Sequence, residues 1–292
     1  MQFHLSFHRT TGRFLAGFAS LIVLAPIPRA LAGDWAQWRG PTRDGISTEG
    51  GWSTTWPASG PKVLWKQSFG TGCSSFTVAG NRAYTMGNQN ATDTVFCVDV
   101  ASGKILWRHS YPSELDPNMF EGGPCGTPAI DGTRIYTLSR FGLLLCLEEG
   151  KVVWSKDLIR EFGAKKPTWG YASSPLVLGD LLLLDVGGPG SSSVALNKLT
   201  GVVVWKSGDD PAAYGSPIVV KPGEETTVAF MNAKALVVRA ARDGRELWRF
   251  PWKTQYDVNA ATPIIAGDDI FISSGYGHGG ALVRPSAGGA TA

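Results

Sequence analysis

Histidine is nearly missing from this sequence. There are four in all, and beyond residue 32 only His109 and His278 remain, far apart and beside no serine or cysteine motif, so a hydrolytic triad has no support. Cysteine is scarce too. Cys73, Cys97, Cys125 and Cys146 are isolated from one another, and no Cys-x-x-Cys-His offers a covalent haem. Phosphate loops, zinc-protease motifs and calcium-loop sequences do not occur. Charge is low, at 17% of residues, and the formal excess of +3 comes from Arg9, Arg13 and Arg29; from Gly33 onward 24 basic residues face 24 acidic ones. Electrostatic attraction to nucleic acid or anionic lipid is therefore not expected. The sequence also lacks a run fit to cross a membrane. The longest candidate, Phe14 to Ile27, is short and ends among Pro26 and Pro28. Preceded by Arg9 and Arg13 and followed by Ala30-Leu31-Ala32, it reads as a secretory signal, residues 1–32, cut before Gly33. A periplasmic or secreted protein with no integral span after cleavage is the expectation, and with no cysteine near the cut, lipidation there is not expected.

What the sequence has is glycine, proline and tryptophan: 37, 18 and 11 of them in 292 residues. That composition suits many short strands joined by tight turns, and 43% hydrophobic residues are ample for a core. One phrase recurs. Gly103-Lys-Ile-Leu-Trp107 returns as Gly150-Lys-Val-Val-Trp154, Gly201-Val-Val-Val-Trp205 and Gly244-Arg-Glu-Leu-Trp248, with a proline version at Pro61-Lys-Val-Leu-Trp65. The tryptophans are 42, 47, 51 and 43 residues apart, a spacing that marks a repeat architecture.

The rest of the repeat can be written out around that phrase. Cys73 to Arg82 aligns without gaps on Cys125 to Arg134, and Ala172-Ser-Ser-Pro, Tyr214-Gly-Ser-Pro and Ala260-Ala-Thr-Pro follow the same template. Each unit opens with a short apolar strand after Ser/Thr-Pro, turns at a glycine or aspartate, and runs into a second β-rich strand. A third strand carries a small or apolar residue (Cys97, Cys146, Ala195, Val238), and a fourth ends at the tryptophan. Four antiparallel strands per unit make a propeller blade, so the fold class is an all-β propeller with about five blades. Glycine suits the turn before the fourth strand, where a positive φ is required. The indole is expected to lie against the neighbouring blade and donate its N–H to a carbonyl there, which burial supports by about 2–3 kcal/mol.

The chain thus divides into a lead-in over 33–60, blades over 61–284 and a tail over 285–292. The lead-in, with Trp35 and Trp38, is expected to pack over the surface. Residues 260–284 supply three strands, and Trp65 ends a fourth strand with no preceding three. Either these ends close one blade between them or the ring is incomplete; the tail shows no strand character, which favours the second.

The pattern small-x-Asp-x-x-Ser/Thr-Gly-x-x-x-Trp, as in Cys97 to Trp107 and, with asparagine, Ala195 to Trp205, resembles the tryptophan-docking motif of PQQ-binding-like β-propeller repeat proteins. That family takes in quinoprotein alcohol dehydrogenases and BamB-type assembly propellers, and the resemblance covers about residues 35–284. It implies the fold. The docking residues Trp65, Trp107, Trp154, Trp205 and Trp248, with Gly103, Gly150, Gly201 and Gly244, build blades and perform no chemistry. Known members usually have seven or eight blades, a further sign of incompleteness. The dehydrogenases resemble one another in a vicinal cysteine pair, a calcium site and an aspartate base. The vicinal pair is missing here, and the oxygens of Asp99, Asp185, Asn197 and Asp257 are scattered over different repeat positions.

Two further groups stand out. Cys73 and Cys125 share the position at the start of the inner strand in adjacent units, a candidate disulfide in an exported protein, while Cys97 and Cys146 replace alanine in the core. Around the inner-strand starts lie Glu121, Trp169, Tyr171, Tyr214, Asp257, Asn259, Tyr276 and His278, which could line the mouth of the central channel and hold a small ligand or peptide. Exposed strand edges offer a second mode, β-augmentation. The leading expectation is an exported, non-catalytic binding or assembly scaffold of BamB type, with no cofactor or metal. The alternatives are a PQQ-dependent dehydrogenase with calcium, or its remnant, and a carbohydrate-binding propeller.

Overall fold

The computed structural model describes residues 33–116, 122–221, 225–286 and 289–291; the expected secretory signal and Glu121 lie outside them. Five four-stranded antiparallel sheets follow one another along the chain, each strand pairing with the next in sequence. The first holds β1 (Thr77–Ala79), β2 (Arg82–Asn88), β3 (Thr92–Asp99) and β4 (Ile105–Pro112). The second holds β5 (Ala129–Asp131), β6 (Arg134–Leu138), β7 (Leu143–Glu148) and β8 (Lys151–Asp157), followed by a one-turn helix, α1 (Leu158–Phe162). The third is β9 (Leu176–Leu178), β10 (Leu181–Gly188), β11 (Ser191–Asn197) and β12 (Val203–Ser207), and the fourth is β13 (Ile218–Lys221), β14 (Thr227–Met231), β15 (Ala235–Ala240) and β16 (Glu246–Pro251). The fifth is β17 (Ile264–Ala266), β18 (Asp269–Ser274), β19 (Gly279–Ser286) and β20 (Gly289–Thr291).

The four-stranded unit is the one the repeat predicts, and the fifth sheet corrects one expectation. Its outer strand comes from the tail itself, with Arg284 opposite Thr291 and Ser286 opposite Gly289. Backbone pairing alone suffices there, in a segment whose small residues carry no alternating side-chain pattern. Pro61 to Trp65 belongs to no strand.

The cores lie between sheets rather than inside them. Tyr84, Met86, Val95 and Cys97 of the first sheet pack on Ile130, Ile135, Leu145 and Leu147 of the second. Leu144 and Cys146 meet Leu182, Leu184 and Leu196; Leu183 and Ala195 meet Val228 and Phe230; Met231, Leu236 and Val238 meet Ile270, Ile272 and Val283. The middle strands are buried on both faces, which is why β7 and β10 read as near-continuous leucine runs. The outer strands alternate exposed and half-buried residues, as β4 does along its whole length.

A second seam runs around the starts of the inner strands. The Ser75 N–H donates to Thr127 Oγ1 (3.3 Å), Thr127 N–H to Ser174 Oγ (3.0 Å) and Ser174 N–H to Ser216 Oγ (2.9 Å). Thr127, Ser174 and Ser216 are the hydroxyl residues of the Ser/Thr-Pro signature, so in the second, third and fourth blades that hydroxyl receives the backbone of the blade before it, while in the fifth Thr262 Oγ1 accepts the Trp38 indole N–H.

Candidate functional site

The tryptophan phrase is a joint. Cys97, Cys146, Ala195 and Val238 stand directly opposite Trp107, Trp154, Trp205 and Trp248, and in every case the ladder shifts register one step further along. A bulge therefore recurs at Leu106, Val153, Val204 and Leu247, just before the indole. The rings of Trp65, Trp107, Trp154 and Trp205 each reach the glycine of the next repeat. A Cβ on Gly103, Gly201 or Gly244 would lie 2.5, 2.8 or 2.4 Å from the rings of Trp65, Trp154 or Trp205. These glycines have φ of 70°, 72° and 74°, so they serve two needs, a left-handed turn and a seat for an indole.

The N–H finds its carbonyl in three of the four joints resolved in this way. Trp65 donates to Val100 O (2.8 Å), Trp154 to Lys198 O (3.1 Å) and Trp205 to Ala241 O (2.8 Å). Each acceptor is three residues before the motif glycine. In blades one and three, an Asp or Asn side chain holds that loop open: Asp99 Oδ1 accepts Ser102 N–H (2.8 Å), and Asn197 Oδ1 accepts Thr200 N–H (3.0 Å). The second blade has instead a tight turn, Glu149-Gly150 with φ of 46° and 76°, and the equivalent residue, Leu147, is inside β7. Trp107 Nε1 is accordingly buried without a partner. Trp248 packs among Ile270, Ile272 and Val283 of the fifth sheet.

The lead-in does more than cover a surface. Trp35 pairs with Val78 on the free edge of β1 (2.8 and 3.0 Å), and Ile130 N–H of β5 donates to Ala36 O (2.7 Å). Arg43 Nη2 reaches Val177 O of β9 (3.1 Å), while Trp38 Nε1 donates to Thr262 Oγ1 beside β17 (3.0 Å). Residues 35–43 thus lie across the inner strands of several blades. The space left beside Trp38, Arg43 and Pro217 is about 10 Å³, room for one water at most.

The channel-mouth set divides when placed. Tyr171 is 1% exposed, its ring inside the core between the second and third sheets and its hydroxyl donating to Val186 O (2.8 Å). Asn259 is fully buried and works as a clamp: its Nδ2 donates to Asn232 O (2.8 Å) and Trp252 O (3.1 Å), and its Oδ1 accepts from Thr254 and Ser274 hydroxyls. That clamp holds the loop of Gln255–Asp257, where Tyr256 and Asp257 take φ of 62° and 56°. The remaining rings form a row. Trp169 lies 5.9 Å from Tyr214 and 6.4 Å from Tyr256, and Tyr256 lies 6.2 Å from Tyr276. Tyr256 and Tyr276 are 59% and 73% exposed, and Tyr276 too has a positive φ, 57°. Left-handed backbone at bulky residues is strained, so neighbouring bonds hold these rings outward at a cost. His278 stands aside from the row, edge-on to Trp252 at 4.5 Å, and Asp257 is exposed with its charge felt by Tyr214. Tyr256 is the member that sequence reading missed; its signal was the aromatic two residues before Val258-Asn259 at the start of the fifth unit.

Two further polar features complete the picture. Cys73 and Cys125 are both unbridged, and Cys73 N–H donates to Pro124 O (2.9 Å). Between the third and fourth sheets, Asp185 accepts Ala213 N–H (3.1 Å) on one oxygen and leaves the other without a partner; burial pushes its carboxyl up to about 8.

The comparisons agree with this architecture. The family described as Outer membrane protein assembly factor BamB matches residues 91–290. Among solved structures, BamB from Moraxella catarrhalis is 16% identical and aligns over 75% of this chain and 62% of its own, with a TM-score of 0.49. A Europium-containing methanol dehydrogenase is 15% identical over 76% of this chain and 49% of its own, at 0.49. Quinohemoprotein alcohol dehydrogenase from Comamonas testosteroni is 15% identical over 87% of this chain and 46% of its own, at 0.53. The chain thus spans less than two thirds of BamB and under half of either dehydrogenase. No curated protein matches it. With its repeats, its docked tryptophans and a family match over most of its length, the chain belongs to the BamB-like family of PQQ-like β-propellers.

Proposed function

We propose that this chain is an exported, non-catalytic scaffold that binds another protein through the aromatic row of Trp169, Tyr214, Tyr256 and Tyr276. The observation behind this reading is the outward presentation of Tyr256 and Tyr276 on strained backbone, clamped by the buried Asn259. Tyrosine and tryptophan combine large contact area with few rotatable bonds, which suits them to anchor a protein partner. The polypeptide supports a binding role elsewhere as well. The lead-in occupies the edges of the inner strands, with Arg43 bonded through Nη2 to Val177 O. The four candidate calcium oxygens lie in different places: Asp99 and Asn197 hold their own turns, Asp185 sits buried between sheets, and Asp257 is exposed on the Gln255–Asp257 loop. Held apart in this way, these oxygens do not make one calcium site.

A photo-crosslinking residue in place of Tyr276, expressed in the exporting cell, tests the reading. Discrete protein adducts are expected, lost when Tyr256→Ala is added and not obtained from Val204 on the outer strand β12. The same adducts from both positions, or none from either, would overturn it. The exposed rings equally suit stacking on sugar faces, which is the second reading. Saturable quenching of tryptophan fluorescence by a sugar, abolished by Tyr256→Ala, would favour it over the protein scaffold. Alcohol-dependent dye reduction after addition of PQQ and calcium would refute both.

A further inference from the structure

The start of the first two blades brings together two thiols and one buried cation. The segments carrying the thiols approach closely because glycine precedes the contact on both sides. A Cβ on Gly72 would lie 2.8 Å from Pro124 O, and one on Gly123 would lie 2.3 Å from Thr71 O. The Cys73 N–H to Pro124 O bond holds the two backbones side by side, and the Cys73 thiol is within hydrogen-bond reach of Cys125, as the sulfurs of a disulfide-forming pair must be. Cys73 is exposed and Cys125 half-buried behind it. Beneath them is Arg140, fully buried. Its Nε donates to Gly123 O (2.6 Å), its Nη1 to Trp169 O (2.8 Å) and its Nη2 to Cys125 Sγ (2.8 Å). A buried guanidinium is costly unless matched by negative charge; the buried Asp93 carboxyl lies within its electrostatic reach, and of its three hydrogen-bond acceptors two are neutral carbonyls. The third is a sulfur that can become an anion.

The geometry points to a thiol–disulfide exchange site: Cys73 is the attacking sulfur, Cys125 the resolving one, and Arg140 the positioning residue that stabilises Cys125 as it ionises. In the first step the Cys73 thiolate attacks a small external disulfide, RSSR. A Cys73–S–S–R bond forms, the external S–S bond breaks, and one RS⁻ leaves with its electron pair. In the second step Cys125 Sγ, losing its proton, attacks Cys73 Sγ; the bond to R breaks, and the second RS⁻ leaves and takes up a proton. Two protein thiols are oxidised and one disulfide is reduced to two thiols. The order follows from access. Cys73 meets solvent first, whereas burial pushes the Cys125 thiol up to about 11 against the opposing pull of Arg140, so Cys125 rests protonated until its target is bound alongside. The same guanidinium charge disfavours a metal cation between the sulfurs. Cys97 and Cys146, buried in sheet interiors with their thiols also raised by burial, take no part.

Glutathione disulfide, poised against glutathione, is the probe. The purified full chain should lose two of its four thiols together in one two-electron transition and regain them with dithiothreitol, with a single Cys73–Cys125 cross-linked peptide. Cys125→Ser should instead retain one glutathione on Cys73, and Cys73→Ser should take up none. Arg140→Gln should prolong the mixed disulfide by roughly tenfold, since a thiolate without its cation forms less readily. Because that variant removes a buried group, the cysteine variants carry the test if it does not fold. Four thiols still titratable under excess glutathione disulfide would overturn the assignment. So would a glutathione adduct that persists on Cys73 in the unaltered sequence, or a bridge through Cys97 or Cys146.

Discussion

Replacing Trp154 and Trp107 by phenylalanine, one at a time, isolates what the indole N–H contributes to the joint between blades. The two sites are closely matched. Both rings are half-buried, both face a small residue across the strand pair, and both have a tyrosine ring near, Tyr136 at 6.0 Å and Tyr84 at 5.8 Å. Trimming an indole to a phenyl removes a few tens of Å² of apolar area, about 1 kcal/mol at either site. The donors differ. Trp154→Phe also loses the bond to Lys198 O; because Tyr136 Oη still donates to that carbonyl (3.1 Å), the loss is an ordinary net hydrogen bond, about 1 kcal/mol. Trp107→Phe loses no bond and removes a buried donor without a partner, a relief of about 1–3 kcal/mol. Trp154→Phe should therefore cost about 2 kcal/mol, and Trp107→Phe should be close to neutral. With a urea slope of about 2–3 kcal/mol/M for a domain of this size, the midpoints should differ by just under about 1 M. Far-UV circular dichroism is the readout, since with eleven tryptophans fluorescence would report the label rather than the fold. Equal slopes for the two variants are needed for the comparison. If Trp107→Phe costs as much as Trp154→Phe, the N–H is irrelevant to docking and the turn-length argument fails.

Gly201→Ala and Gly80→Ala both place a Cβ on left-handed backbone, at φ of 72° and 56° respectively, but only the first meets a ring, at 2.8 Å, whereas nothing lies within 4 Å of the second. Gly80→Ala should cost about 1 kcal/mol and Gly201→Ala a further 1–3 kcal/mol by urea unfolding; equal costs would mean that the turn alone explains the motif glycine. Asp185 gives a pH dependence of definite sign. Its folded carboxyl is raised to about 8 from an unfolded value near 3.8, so the folded state holds a proton that the unfolded state has lost; stability is fully present below about pH 4 and falls as pH rises toward 8, by at most about 1.4 kcal/mol per pH unit. Asp185→Asn should flatten the urea midpoint between pH 5 and 8, and an unchanged slope would show that Asp185 is ionised in the native protein.

What the sequence made legible was whatever repeats. The blade, the glycine and the ring that docks on it recur often enough to be aligned by eye, and the indole's carbonyl partner follows from elementary hydrogen bonding. Its absence at Trp107 was legible only in principle, because it depends on the length of a turn in another repeat. The Ser/Thr-Pro signature was visible while its task was not: a hydroxyl that accepts the preceding blade's N–H is defined by spatial neighbours some 40 to 50 residues away. Around the inner-strand starts, residue type could not sort Tyr171 from Tyr276. One ring is enclosed by two sheets and the other projects from a hairpin, a difference made by packing rather than by chemistry. The tail strand β20 escaped notice for the opposite reason, since glycine and alanine supply backbone bonds without a pattern to read.

The recurring bulge beside each docked tryptophan bears on solubility. Among the described residues the outer strands β4, β8, β12 and β16 pair on one side only, and β8 and β12 are rich in valine: Val152, Val153, Val203 and Val204, with Val202 just before β12, are all more than a third exposed. A flat, apolar, unpaired strand is a template on which another chain can continue the ladder. The extra residue at Leu106, Val153, Val204 or Leu247 breaks the two-residue alternation and increases the local twist, so an incoming strand meets a row of donors and acceptors that is out of step halfway along. The joint that fastens one blade to the next thereby also keeps each blade from recruiting strangers.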